Sequence, residues 1–141
     1  MGAASPQPPA WLTLDAGSAS EPAGVPVPGA ATRTRAALHE TLARALPLPD
    51  WYGRNWDALA DALADRLEEG PLTLVVRDAA HLLADEPPAQ LGTLLDVLGA
   101  AAAGGHGTLR VVLRDHPDRL PALRHRIAAA LGGHVGAPDV T

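Results

Sequence analysis

Leu48-Pro49-Asp50-Trp51-Tyr52-Gly53-Arg54-Asn55-Trp56-Asp57-Ala58-Leu59-Ala60-Asp61-Ala62-Leu63-Ala64-Asp65 is the most informative run in this chain of 141 residues. Three of the four aromatic residues, Trp51, Tyr52 and Trp56, fall within six positions of it. Asn55 is a good N-cap for a helix running to about Glu68, whose apolar face is Trp56, Leu59, Leu63 and Leu67. Asp57, Asp61 and Asp65 recur at every fourth position, which stacks them on one face of that helix. Residues 50–69 hold six carboxylates and two arginines, so most of the chain's net charge of −5 is concentrated there. Like charges at this spacing destabilise a helix by a few tenths of a kcal/mol (~0.2–0.5) per pair. Aspartate is also a poor helix former in the interior. Three readings of the stripe stand: a solvated helix face, a docking surface for a cationic protein, or a divalent metal site. Lack of interleaved cations weighs against the first. One helix face rarely completes an oxygen cage, which weighs against the third.

Outward from this run, the chain punctuates itself with proline and glycine. Residues 1–9 read as a loose leader, and Trp11-Leu12-Thr13-Leu14 as a short strand ended by Asp15-Ala16-Gly17. Residues 17–30 carry three prolines and three glycines and read as a loop. Leu38, Leu42 and Ala45 predict a helix over 31–46, capped by Thr32 or Thr34 and stopped by Pro47 and Pro49. Leu72-Thr73-Leu74-Val75-Val76 is nearly continuous apolar sequence, as a covered parallel strand requires. Asp85-Glu86-Pro87-Pro88 predicts a helix start, with Leu91, Leu94, Leu95 and Leu98 as its buried stripe. Thr108 to Leu113 is a third strand, and Leu120, Leu123, Ile127 and Leu131 mark a last helix over about 118–131, closed by Gly132-Gly133. The element order predicts an α/β fold: a three-stranded parallel sheet packed by helices, with an additional C-terminal helix. A domain over 10–115 is followed by an extension over 116–141.

Composition excludes several classes of function. There is no cysteine, hence no disulfide, thiolate metal site or cysteine nucleophile. Hydrophobic residues make up 47% of the chain, enough for a core, but that core must be built from Ala, Leu and Val because aromatics are only 3%. The acidic balance argues against nucleic acid and against an anionic membrane surface as partners. No signal peptide or membrane span is legible, so a cytoplasmic location is expected. His39, His81, His106, His116, His125 and His134 lack metal-ligand spacing, and no metal or other cofactor is expected. Gly104-Gly105-x-Gly107 lies between a helix and a strand, the reverse of a dinucleotide fingerprint, and reads as a helix stop.

The run Leu48-Pro49-Asp50-Trp51-Tyr52-Gly53-x-Asn55-x-Asp57-Ala58-Leu59-x-Asp61 resembles the central motif of the barstar family, intracellular inhibitors of secreted microbial ribonucleases. Leu38-His39-x-Thr41-Leu42 upstream and Pro71-Leu72-x-Leu74 downstream fit as well, and the similarity spans about residues 10–114. The resemblance implies a three-stranded parallel sheet, a cis Gly70–Pro71 bond, and inhibition rather than catalysis. It implies that the acidic helix and its preceding loop plug a nuclease active site in a 1:1 complex. Asp61 matches the family's phosphate-mimicking aspartate, and Asp57 its partner one turn earlier. Trp51 takes the place of a tyrosine that packs over the nuclease site, and Gly53 and Asn55 match the loop that approaches the enzyme. Tyr52 and Asp65 complete the expected partner-binding set.

The sequence also departs from the family pattern. Arg66 and Ala60 stand where tryptophans are expected, and Ala100 where a glutamate is. These changes bear on which nuclease is the target. Two other readings remain: an immunity protein or antitoxin for a different cationic toxin, and a small hydrolase using the paired carboxylates.

Overall fold

A computed structural model describes residues 8–17, 23–46, 48, 52–105 and 107–136, the last five of these as backbone alone. Four strands, β1 (Leu12–Asp15), β2 (Val25–Pro28), β3 (Leu72–Arg77) and β4 (Leu109–Arg114), form one sheet in the order β1-β4-β3-β2. Every pairing is parallel, with Leu12 opposite Val111, Val25 opposite Leu74 and Leu72 opposite Leu109. Four α-helices accompany them: α1 (Arg35–Ala45), α2 (Trp56–Leu67), α3 (Pro88–Ala103) and α4 (Leu120–Gly136).

The three-stranded expectation is corrected by β2. Its sequence, Val25-Pro26-Val27-Pro28, lies in the stretch whose prolines and glycines suggested a loop. Proline is tolerated here because β2 is an edge strand, paired on one side only, so the two missing N–H groups break no ladder on the open side. Val27 is buried and lies opposite Val76. Helical crossovers join β2 to β3, through α1 and α2, and β3 to β4, through α3. The link from β1 to β2 carries no helix among the described residues, and these two strands occupy opposite edges of the sheet.

The core follows from period-2 strands meeting helical stripes. Leu72, Leu74 and Val76 of β3 and Leu109, Val111 and Leu113 of β4 face inward, with Leu12 and Val27 from the edges. They meet Leu38 and Leu42 of α1, Leu59, Leu63 and Leu67 of α2, the four predicted leucines of α3, and Leu120, Leu123 and Ile127 of α4. The C-terminal helix therefore shares the one core of the protein. It continues past Gly132-Gly133 to Gly136, beyond its expected stop. Its Arg126 reaches back to the carbonyl oxygens of Ala80 (3.3 Å) and Leu82 (2.9 Å), tying α4 to the turn after β3.

Local details also differ from the sequence reading. Helix α1 starts at Arg35 with Thr34 as its cap, the hydroxyl oxygen accepting from the Ala37 N–H at 3.1 Å. Glu86 and Asp85, read as favouring the start of α3, serve α1 instead. Glu86 accepts the Arg35 N–H at 2.8 Å, and Asp85 takes a two-pronged contact from Arg33 at 2.8 and 3.0 Å. Pro88 opens α3 as expected. The Gly70–Pro71 bond is trans, as is every peptide bond among the described residues, so the cis bond implied by the resemblance is absent. Gly107 is required at the entry to β4, where a Cβ would collide with the Leu67 carbonyl at the end of α2.

Candidate protein-binding surface

Helix α2 is positioned by its apolar face. Leu59, Ala62, Leu63 and Leu67 are buried, and this fixes the rotation that leaves Asp57, Asp61 and Asp65 exposed. Each aspartate sits one turn from the next, and none of the three carboxylates has a hydrogen bond or ion pair among the described residues. The only cation on α2, Arg66, is turned away from the stripe: its guanidinium donates to the Gly70 carbonyl at 3.1 Å and to the Pro71 carbonyl at 3.4 Å. It thus serves the C-terminal end of the helix, where a cation complements the dipole. Asp57 lies in the first turn, where the dipole favours it. Asp61 and Asp65 have no such compensation.

Of the loop before α2, residues 52–55 are tied to the helix and to α1. Asn55 caps the helix, its side-chain oxygen accepting from the Ala58 N–H at 2.8 Å, while its amide nitrogen reaches the Gly53 carbonyl at 3.4 Å. Gly53 is exposed, and a Cβ there would press on the Asn55 amide at 3.2 Å. Arg54 stands in the left-handed region at φ 54, uncommon for a residue with a side chain. It donates from Nε to Glu40 of α1 at 2.8 Å, with both side chains about half exposed. Asn55→Ala is expected to destabilise the protein by about 1 kcal/mol through loss of the cap, which urea denaturation measures.

Tyr52 turns inward. It is 4% exposed, and its hydroxyl hydrogen-bonds the Nδ1 of His39 on α1. The imidazole also lies against Trp56, the first residue of α2, with ring centroids 5.1 Å apart. Burial pushes the Tyr52 hydroxyl up to about 12, against a weaker opposing pull from Arg54. Burial, followed by Arg35 and Arg54, moves His39 below the ordinary imidazole value. Trp51, with Pro49 and Asp50, lies outside the described residues. The structure thus brings Asn55, Asp57, Asp61 and Asp65 onto one continuous surface with Gly53, and directs the Tyr52 side chain beneath it. Sequence reasoning quoted His39 and Arg54 within its motifs but gave neither of them, nor Glu40, a role in this region. His39 and Glu40 meet the loop through contacts distant in sequence, and only the Gly53-Arg54-Asn55 turn carried a local signal.

Among the described residues, no group of three His, Asp or Glu side chains is placed to hold a metal ion. What the surface offers is a row of unpaired carboxylates on a rigid helix. Such a row can accept charge-assisted hydrogen bonds from guanidinium or ammonium groups of another molecule.

The Barstar (barnase inhibitor) family model matches residues 24–114, about two thirds of the chain. This chain belongs to the barstar family. A comparison with curated protein sequences gave no match. As a barstar-family member the protein is ribonuclease-inhibitor-like, and its family consists of inhibitors rather than enzymes. The matched residues contain β2, β3 and β4 but neither β1 nor α4. The three strands inside the family match are therefore not the three read from the sequence. The strand read at 11–14 is an addition on the β4 edge, and the strand missed at 25–28 lies inside the match. The acidic helix and its loop lie wholly within the matched segment.

Proposed function

We propose that this protein inhibits a cationic microbial ribonuclease by seating α2 and the loop before it in the nuclease active site, one molecule to one. The observation that carries this reading is the exposed, unpartnered row Asp57, Asp61 and Asp65 within the barstar-family segment. Ribonucleases hold RNA phosphates with Arg, Lys and His, and a carboxylate can occupy the phosphate position through charge-assisted hydrogen bonds. Asp61 at the middle of α2 serves as the central mimic, with Asp57 and Asp65 one turn to either side. Asn55 and Gly53 set the backbone that leads into the helix, Tyr52 supports it from beneath, and Trp51 belongs to the same contact set. No described helix is long and apolar enough to cross a membrane. We assign the protein to the cytoplasm, where it would protect the producing cell.

The deciding experiment measures RNA cleavage by barnase with increasing amounts of the purified chain. Loss of cleavage at an equimolar ratio supports the proposal. Full cleavage at large molar excess, repeated with other cationic microbial ribonucleases, sinks it.

Electrostatic steering supplies a kinetic test. The carboxylate row should accelerate encounter with a basic nuclease, so the association rate is expected to fall at least tenfold between low and physiological salt, while dissociation changes little. Stopped-flow association at several ionic strengths reads this directly, and a flat association rate counts against a steered encounter.

A further inference from the structure

The loops that leave β1, β3 and β4 meet at the carboxyl end of the sheet, around a crevice of about 550 Å³. β1 and β4 are neighbours, yet the chain leaves them toward opposite faces of the sheet. After β4 it enters α4, whose Leu120, Leu123 and Ile127 join the helical core. After β1 it passes the other face, where a Cβ at Gly17 would stand 3.5 Å from the Arg114 guanidinium and 3.8 Å from the Asp115 carbonyl. Such a divergence between adjacent strands is a topological switch point, the place where open parallel sheets bind ligands. The two walls that create it, residues 16–17 and 115–119, lie outside the barstar-family match.

Val76 and Leu113 are register partners in the core, so Arg77 and Arg114, one residue on, leave adjacent strands side by side on the opposite face. Arg114 is anchored by Asp15, to which its Nε donates at 2.7 Å. Arg119 brings a third guanidinium, and a buried group places it. The Asp115 side chain is wholly buried and accepts the Ala80 and His116 N–H groups at 2.8 and 2.6 Å and one nitrogen of Arg119 at 3.0 Å. Burial alone would raise this carboxyl, but those donors outweigh it and hold it below the ordinary carboxylate value. The Arg119 side chain is 59% exposed, so the rest of its planar fork faces outward. The Nδ1 of His116 accepts the Asp118 N–H at 3.1 Å, which leaves Nε2 as a donor. Asp78 adds an exposed carboxylate to the same crevice, on backbone in the left-handed region at φ 50.

We propose that this crevice binds a sugar phosphate, free or within a mononucleotide: Arg77, Arg114, Arg119 and the Nε2 of His116 donate to the phosphate, and Asp78 accepts from the sugar hydroxyls. Guanidinium forks match the paired oxygens of a phosphate. A bare anion would leave Asp78 facing negative charge, whereas a ligand with hydroxyls beside its phosphate satisfies both kinds of group. The volume suits a ligand of that size, since small-molecule pockets span roughly 300–1,000 Å³. No residue of α2 lines the crevice, so the site stands or falls apart from the inhibitor reading.

Titration of the full-length chain, followed by amide NMR at constant ionic strength, tests it. Ribose 5-phosphate at millimolar concentration is expected to give saturable shifts at Gly17, Asp78 and His116, with Asp61 and Leu63 of α2 unmoved. Inorganic phosphate should bind more weakly, and ribose not at all. AMP separates the two sources: tighter binding than ribose 5-phosphate marks a nucleotide, and equal or weaker binding a free sugar phosphate. Arg119→Gln should weaken the sugar phosphate about tenfold, and so should Arg77→Gln, which leaves the Asp115 contacts intact. Arg124→Gln, on the exposed side of α4, should change nothing. Asp78→Gly suits the left-handed backbone and should bring ribose 5-phosphate down to the level of inorganic phosphate. Absence of saturable shifts overturns the proposal. So does unchanged affinity in a folded Arg77→Gln, or ribose 5-phosphate binding no tighter than inorganic phosphate.

Discussion

Asp61→Ala is expected to abolish inhibition at concentrations where the wild-type chain is fully effective. Asp61 is exposed at the middle of α2, with Asp57 and Asp65 one turn to either side and no internal partner to satisfy. In a complex its carboxylate would be desolvated against the nuclease's cations, and removing it would leave those cations buried and unpaired. Truncating one member of such a pair costs about 2–8 kcal/mol of binding, a range drawn in part from this family's own prototype complex. Titration of nuclease activity against Asp61→Ala measures the loss. Inhibition equal to wild type would remove Asp61 from the interface.

The same substitution should stabilise the free protein. Two like-charge pairings at i,i+4 disappear, and the best helix former replaces a poor one on an exposed helix surface. Together these terms amount to roughly 0.5–1 kcal/mol. A gain in stability beside a loss of inhibition is the behaviour of a residue kept for a partner. Urea denaturation of the unbound variant decides the sign.

Leu123→Ala carries the second large expectation. Leu123 is 1% exposed, in a helix that the barstar-family match does not include. Its truncation leaves a cavity in the core, where α4 packs on α3, and is expected to cost about 3 kcal/mol in urea denaturation. Inhibition per folded molecule should stay near wild type, because the carboxylate row lies on α2. Deleting α4 outright would strip Leu120, Leu123 and Ile127 together from the core. That loss, roughly 5 kcal/mol or more, is comparable with the whole stability of a small domain. A truncate ending at Arg114 is therefore expected to be poorly folded, and the point variant is the cleaner probe. Lost inhibition in a folded Leu123→Ala would bring α4 into the functional surface.

The acidic helix was legible in the sequence because everything that defines it is local. Asn55 caps it, the leucine spacing sets its buried face, and the fourfold spacing of the aspartates then follows by geometry. The leucines of α3 and the apolar run of β3 were legible for the same reason. By contrast, Val25-Pro26-Val27-Pro28 has the composition of a loop, and becomes a strand only because its place at the sheet edge leaves one side unpaired. Asp85 and Glu86 look like first-turn residues of their own helix, yet they bind Arg33 and the start of α1, some fifty residues earlier. Gly132-Gly133 reads as a stop, but the helix runs through it. Tyr52 sits among partner-facing residues in the motif, and its side chain is nevertheless claimed by the buried His39. Capping and periodicity act within a turn or two and are written in neighbouring residues. Edge position, the partner of a carboxylate and the direction of a loop side chain depend on what tertiary packing brings alongside.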